Sequence, residues 1–225
     1  LFFPITEHQR QNAFKEAIVK TLHYRRHSIK DGAVKDTIGL KGYELAFQEG
    51  ERSQADQSFV SFSVAFHGPL VRTAETLMEF LRGSEDTPRH APAIEEIGNQ
   101  KWFDELVTNG EYMSAVNAGK TSLEALYAAA GDNQALRNAW VETAKRAVEK
   151  MFEQMSDSET AIAFGHTPII ELAAENTVTF GTPLPEGWNH LAEMDGLVFV
   201  QNRIPMVSGI EVTEVIRAQR QLAHA

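Results

Sequence analysis

The chain contains no cysteine among its 225 residues, and that absence removes three chemistries at once. A disulfide scaffold, a thiolate zinc site and a cysteine nucleophile are all excluded. Positive charge is scarce as well. Lys and Arg number 21 against 31 Asp and Glu, for a formal charge of -10 and an isoelectric point near 5.3. Nucleic-acid binding needs a basic field that displaces counterions from phosphates, and the chain as a whole has none. No apolar run approaches the roughly 18–20 residues that cross a bilayer, so no membrane partner is expected. Hydrophobic residues at 43% and charged residues at 23% fit a soluble globular protein, not a disordered or fibrous one. The length suits one well-buried core, so a single domain over residues 1–225 is expected. The chain opens Leu1-Phe2-Phe3-Pro4 without Met, which suggests trimming, and we expect a cytoplasmic location.

Element signals alternate along the chain. Thr6 and Gln9 have the spacing of a capping box and predict a first helix from Glu7. Residues 19–26, rich in Val, Thr, Leu and Tyr, predict a strand that Arg26-His27-Ser28 ends. A helix is expected over 41–48, with Leu45 and Ala46 facing inward. Residues 58–66 predict a strand with Val60, Phe62, Val64 and Phe66 on one face and Phe59, Ser61, Ser63 and Ala65 on the other. Strands apolar on both faces belong to parallel sheets covered by helices. Residues 71–81 follow helical spacing, 83–99 read as irregular around Pro88 and Pro92, and 100–156 are mostly helical, with Asp132 as an N-cap. A strand over 160–164 leads through Pro168 into a helix to Ala174. A final strand over 197–200 and a closing helix over 211–222 complete the prediction. The expected fold is α/β, a three-layer sandwich with a mainly parallel central sheet and a helical cap insertion at about residues 84–157 over the catalytic end.

Three of these strands end in polar, histidine-containing turns: Arg26-His27, His67-Gly68-Pro69-Leu70-Val71-Arg72, and Gly165-His166. Ligands of open parallel sheets bind at the carboxyl ends of the strands, so Arg26, His27, Arg72 and His166 are expected to face one cleft. Guanidinium forks pair with phosphate oxygens in bidentate fashion, and such a pocket suits a phosphoryl group. The alternative is three unrelated surface turns, each with a solvated cation.

Tyr24-Arg25-Arg26-His27-Ser28, the segment from Gly68 to Thr76, and Gly165-His166-Thr167-Pro168-Ile169-Ile170-Glu171 resemble the three signatures of the histidine phosphatase superfamily, the phosphoglycerate mutase-like fold. They stand in the family's order and in matching strand–turn–helix contexts, over about residues 18–202. The resemblance implies that His27 is a nucleophile phosphorylated on its ring, and that Arg26 and Arg72 clamp the phosphoryl oxygens. It implies that His166 completes the pocket, with no metal and no cofactor. Phosphoryl transfer to His27 would be followed by attack of water on the phosphohistidine. The general acid of the mutase-like branch would fall at Glu96 in Ala93-Ile94-Glu95-Glu96-Ile97-Gly98, with Glu95 as its neighbour and competitor. The acid-phosphatase branch, with a late His-Asp pair and disulfides, is disfavoured by Asn189-His190-Leu191 and the missing cysteines. Two positions depart from the family's habit. Ser28 stands where Gly is usual; its N–H and hydroxyl are expected to keep a phosphate contact, at a cost if φ were positive. His67 stands where Ser or Thr is common and is expected as an extra phosphate-binding wall.

Weaker signals point elsewhere. Asn117-Ala118-Gly119-Lys120-Thr121-Ser122 resembles the end of a phosphate loop, but Thr121 and Glu124 have capping-box spacing, so a helix start is the better account. Arg25 is expected in a surface ion pair, His23 as a packed or surface residue, and Trp102, Trp140 and Trp188 in the core or its cap. The expected activity is metal-independent hydrolysis of a small phosphorylated substrate, a phosphomonoester. A phosphomutase, a degenerate phosphate-binding module, and a metal site on His27, His67 and His166 are the alternatives. The arginines beside two of those histidines would repel a cation.

Overall fold

Five strands form one sheet: β1 (Ile18–Arg26), β2 (Val64–His67), β3 (Thr160–Gly165), β4 (Gly196–Ile204) and β5 (Val207–Ile216), in the order β2-β3-β1-β4-β5. The computed structural model describes residues 18–32, 36–55, 61–98, 110–177, 183–204 and 207–219. The helix expected from Glu7, the first part of the strand expected over 58–66, and Trp102 lie outside them. Among the described residues no helix is long and apolar enough to cross a membrane.

The sheet is mixed, not mainly parallel. β3 pairs in parallel with both β1 and β2, whereas β4 is antiparallel to β1 and to β5. The closing helix expected over 211–222 is largely strand β5. Glu211-Val212-Thr213-Glu214-Val215-Ile216 is rich in β-branched residues, which pack well on a pleated surface. Its register against β4 runs to Ile204↔Val207, with a bulge between Val198 and Phe199. Val212, Val215 and Ile216 also fit an i, i+3, i+4 spacing. The parallel part aligns the strand ends that matter. Arg26 lies across from Gly165, and His67 from Phe164.

Helices cover both faces. Helices α1 (Leu40–Ala55) and α2 (Val71–Ser84) pack on one side through Leu45, Ala46, Leu77 and Phe80 against Ala65, Ile162 and Phe164. Their crossing is tight. A Cβ on Gly50 would stand 2.1 Å from the Phe80 carbonyl oxygen, and one on Gly83 would stand 2.1 Å from that of Phe47. Only glycine permits that approach. Phe62 joins this side, although alternation along the strand placed it with Val64 and Phe66; the chain leaves extended pairing before Val64, and the pattern breaks there.

The opposite face carries α3 (Gly110–Asn117), α4 (Ser122–Ala130), α5 (Gln134–Glu153) and α6 (Ile169–Thr177). Leu22, Tyr24, Val64, Phe66, Ala161 and Ala163 from the sheet meet Leu126 of α4 and Trp140, Ala144, Ala147, Val148 and Met151 of α5 there, the α5 residues recurring at the spacing of a single apolar stripe. Asn133, not Asp132, caps α5 by accepting from the Leu136 N–H at 3.1 Å. The capping box at α4 is present in both halves: Thr121 accepts from the Glu124 N–H and Glu124 from the Thr121 N–H. That occupies the segment that resembled a phosphate loop. Burying Lys20, its Nζ donating to the Phe152 and Met155 carbonyls at 2.9 and 2.7 Å, ties the end of α5 to the start of the sheet.

Candidate active site

His27 follows the last residue of β1, and its backbone N–H donates to the Gly165 carbonyl at 3.0 Å. His166 follows β3, so the parallel pairing sets the two rings side by side, with centroids 4.8 Å apart and planes at 56°. Arg72, second residue of α2, completes the group: its Nε–H donates to His166 Nε2 at 2.9 Å. All three side chains are buried, at 3%, 4% and 5% exposure, so charge–charge effects among them are strong.

The hydrogen bonds define the tautomers. The Ser28 carbonyl oxygen lies 2.6 Å from His27 Nδ1, and a carbonyl can only accept. Neutral His27 therefore carries its hydrogen on Nδ1 and keeps a lone pair on Nε2. Burial, and next the Arg72 guanidinium, push its pKa down to about 3, with Arg26 and Lys30 adding to the effect. The ring stays neutral over the whole physiological range. His166 has the same tautomer, set from the other side of the ring: Nε2 accepts from Arg72, so neutral His166 bears its hydrogen on Nδ1. Burial, then His27 and Arg72, hold it well below the usual histidine range. A Cβ on Gly98 would stand 3.2 Å from that Nδ1, so the chain after the Glu95–Ile97 turn closes against the ring.

Arg72 and Arg26 each have a carboxylate partner. Arg72 Nη1 donates to Asp36 Oδ1 at 2.9 Å, while the Arg72 N–H donates to the Asp36 carbonyl at 2.8 Å, capping the start of α2. Arg26 Nη2 meets Glu193 Oε1 at 3.0 Å, and its Nη1 donates to the Leu191 carbonyl at 2.9 Å. The field of Arg26 reaches both histidines. Lys30 adds a third cation at the mouth. Burial and then Arg72 lower its pKa, with Arg26 acting the same way and Glu193 and Asp36 opposing. Asp36, Glu193 and Lys30 escaped the sequence reading, because no spacing rule links residue 36 to 72 or 193 to 26.

Two expectations change. Ser28 does not face the anion pocket: its N–H donates to Thr76 Oγ1 at 3.1 Å and its hydroxyl to the Gly42 carbonyl at 2.8 Å. Its φ is not positive, so it carries no strain and serves to fasten the His27 turn to α1 and α2. Arg25 is an ion pair, but a buried one. Its Nη2 meets Glu49 Oε2 at 2.7 Å, its Nε donates to the Met194 carbonyl at 2.8 Å, and it stacks over Phe80. His23 packs edge-on against Phe62, with its pKa pushed down to about 4 by burial and then by Arg25.

The remaining expected residues stand further out. His67 directs Nδ1 at the Gly68 carbonyl, 2.6 Å away, so neutral His67 offers an acceptor at Nε2 rather than a donor to phosphate. Glu96 pairs with Lys150 on α5. Burial raises the Glu96 pKa, but the Lys150 hydrogen bond and charge outweigh it, and the net direction is down. Glu95, its neighbour, is exposed. A different carboxyl is buried behind the pocket: Glu171 on α6, at 1% exposure, which burial pushes up to about 8. Among the described residues no three His, Asp or Glu side chains converge as a metal site.

No family model and no curated sequence matches the chain. Solved structures do. A phosphoglycerate mutase from Bacillus anthracis str. Sterne aligns with a TM-score of 0.56 at 18% identity, covering 89% of this chain and 95% of that one. A protein assigned as a phosphohistidine phosphatase, SixA, from Nakamurella multipartitia aligns at 0.54 and 14% identity, over 90% and 98% of the two chains. The alpha-ribazole phosphatase from Shigella flexneri aligns at 0.50 and 16%, over 85% and 95%. The chain therefore has the phosphoglycerate mutase-like fold. Within that fold its solved neighbours are mutases and phosphatases.

Proposed function

We propose that the protein is a phosphoric monoester hydrolase that works through a phosphohistidine on His27. The observation that carries this reading is the Nδ1 contact with the Ser28 carbonyl at 2.6 Å, which leaves the Nε2 lone pair of a buried, neutral ring beside Arg72 and His166. In the first step Nε2 attacks phosphorus, the ester P–O bond breaks, and the leaving oxygen takes a proton. In the second, water attacks phosphorus, gives up a proton, and the P–N bond breaks to return neutral His27 and inorganic phosphate. Arg26, Arg72 and Lys30 meet the negative charge of the transferring group, with the His166 Nδ1–H as a further donor. The helices between α2 and β3 form the cap that shapes the substrate end.

The test is turnover of an aryl phosphate together with chemical trapping of the intermediate. Wild-type protein is expected to release phosphate, with no loss on adding a chelator, and to give an acid-labile phosphohistidine on quenching. His27→Ala is expected to abolish both. Binding of phosphate without turnover would instead identify a non-catalytic anion module.

A further inference from the structure

We propose that Asp195 and Arg217 are positioning residues for Arg26: they hold the 191–195 turn, and that turn aims the Arg26 guanidinium at the transferring phosphoryl group. The inference rests on the phosphohistidine reading above and adds the residues that keep one of its arginines in place.

Arg26 stands between the two histidine turns. It precedes His27 at the end of β1 and lies across from Gly165, the residue before His166. Its backbone and its side chain are both held by the 191–195 turn. The Arg26 N–H donates to the Asp195 carbonyl at 2.7 Å, and the Met194 N–H donates to the Arg26 carbonyl at 3.2 Å. The guanidinium donates from Nη1 to the Leu191 carbonyl at 2.9 Å and from Nη2 to Glu193 Oε1 at 3.0 Å. Both arms of the fork thus carry a bond to one turn, which sets the plane and direction of the donors that meet an anion. Donors held in place before charge develops need no reorganisation in the transition state.

A turn that aims a side chain must itself be held, and the backbone of this one is not relaxed. Met194, fully buried, has a φ of 66°. A residue with a side chain keeps that left-handed conformation only where its surroundings impose it. Asp195 supplies the constraint. It is buried at 3% exposure, with Oδ2 accepting from the Ala192 N–H at 3.1 Å and from Arg217 Nη1 at 2.8 Å. Its Oδ1 accepts from the Ala218 N–H at 2.9 Å. Arg217, directly after β5, extends the brace: Nη2 donates to the Gly187 carbonyl at 2.8 Å and Nη1 also to the His190 carbonyl. One guanidinium therefore joins the approach to the turn, at 187–190, to the carboxylate at its end. The packing is close, since a Cβ on Gly187 would stand 2.5 Å from Arg217 Nη2. From the sheet side, Arg25 Nε donates to the Met194 carbonyl at 2.8 Å. Without the Asp195–Arg217 pair the turn loses its brace, and the Arg26 guanidinium loses its aim.

The test is a double-mutant cycle on an aryl phosphate, with Arg217→Met, Arg217→Lys and Asp195→Asn each made in wild-type and in Arg26→Ala protein. Removing a donor to developing charge costs about 10²–10³-fold, and we expect that loss in kcat/KM for Arg26→Ala. Misaiming the same donor costs part of it: about 10-fold for Arg217→Met and Asp195→Asn, with the inhibition constant for vanadate rising in parallel. Arg217→Lys keeps a charge for Asp195 without the planar fork that also spans Gly187 and His190, so partial rescue is expected. In the Arg26→Ala background each loss should shrink to about 2-fold or less, because residues that act through one partner are not additive. Thermal melts check folding. Asp195→Asn alters a buried group; if it does not fold, the Arg217 variants, at an exposed residue, decide the question. Losses of the same size in both backgrounds mark a merely structural role and overturn the inference, as does wild-type kcat/KM in Arg217→Met. Wild-type kcat/KM in Arg26→Ala, or a wild-type protein that forms no phosphohistidine, would overturn the underlying reading instead.

Discussion

Arg72 and His166 form one unit: the guanidinium Nε–H donates to the imidazole Nε2 at 2.9 Å, and both side chains are buried. The hydrogen bond fixes the ring's tautomer, and the neighbouring charge prevents its protonation. The other arm of the same fork holds Asp36 at 2.9 Å. A planar fork serves two partners in fixed directions, which an ammonium cannot do. Arg72→Lys is therefore expected to lose about 10²–10³-fold in kcat, the range for removing one donor to developing charge. Steady-state kinetics on an aryl phosphate measures it, with wild-type melting behaviour as the control for folding.

His27 is expected to stay neutral through mild acid. Its pKa lies at about 3 in the folded protein against 6.5 in an unfolded chain. In an NMR titration its ring resonances should not move between pH 8 and pH 5. Linkage gives the matching stability effect. A depressed pKa means that the unfolded chain binds more protons, so the contribution is intact above pH 6.5 and is lost as pH falls toward 3. Denaturation at pH 7 and pH 5 should show the loss, and His23, lowered to about 4, adds to it.

Glu171 has the opposite sign. Its pKa is raised to about 8 from 4.5, so its contribution is intact below pH 4.5 and is lost as pH rises through 8. Over that window the slope is up to about 1.4 kcal/mol per pH unit for one group. Glu171→Gln should remove this alkaline loss, and thermal melts at pH 6 and pH 9 should converge in the variant.

Asp36 and Glu193 stand against Arg72 and Arg26. Vanadate is expected to inhibit strongly between Arg26, Arg72, His27 and His166, because it adopts the five-coordinate geometry of the transferring phosphoryl group. Asp36→Asn removes a competing charge, and its inhibition constant for inorganic phosphate should fall several-fold. An unchanged constant would show that phosphate approaches Arg72 from another side.

The grouping of His27, Arg72 and His166 was legible in the sequence because these residues lie next to strand ends. Arg26-His27, Arg72 and Gly165-His166 are short contiguous signals, and parallel pairing of β1, β3 and β2 brings them together by itself. What was not legible depends on contacts between distant segments. Arg25 looked like a surface charge because nothing in its neighbourhood of sequence points to Glu49. Ser28 looked like a phosphate ligand because the turn onto Thr76 and Gly42 is a tertiary event. Glu171 lay inside a recognised motif, yet its importance comes from complete burial, which a sequence does not display. The misread of β5 was local: β-branched Val212, Thr213, Val215 and Ile216 outweigh a spacing that also suits a helix.

The crossing of α1 and α2 at Gly50 and Gly83 acts on the pocket as the pivot of a lever. Arg72 and Gly83 sit at opposite ends of α2, about 16 Å apart along its axis at 1.5 Å per residue. A methyl group at residue 83 would meet the Phe47 carbonyl oxygen at 2.1 Å, and the helix would have to tilt away. A tilt of about 4° there swings the far end by about 1 Å, a displacement that can cost about 10²-fold when it misplaces a reacting group. The position of Arg72 beside His166 is thus set in part at a glycine at the far end of its helix.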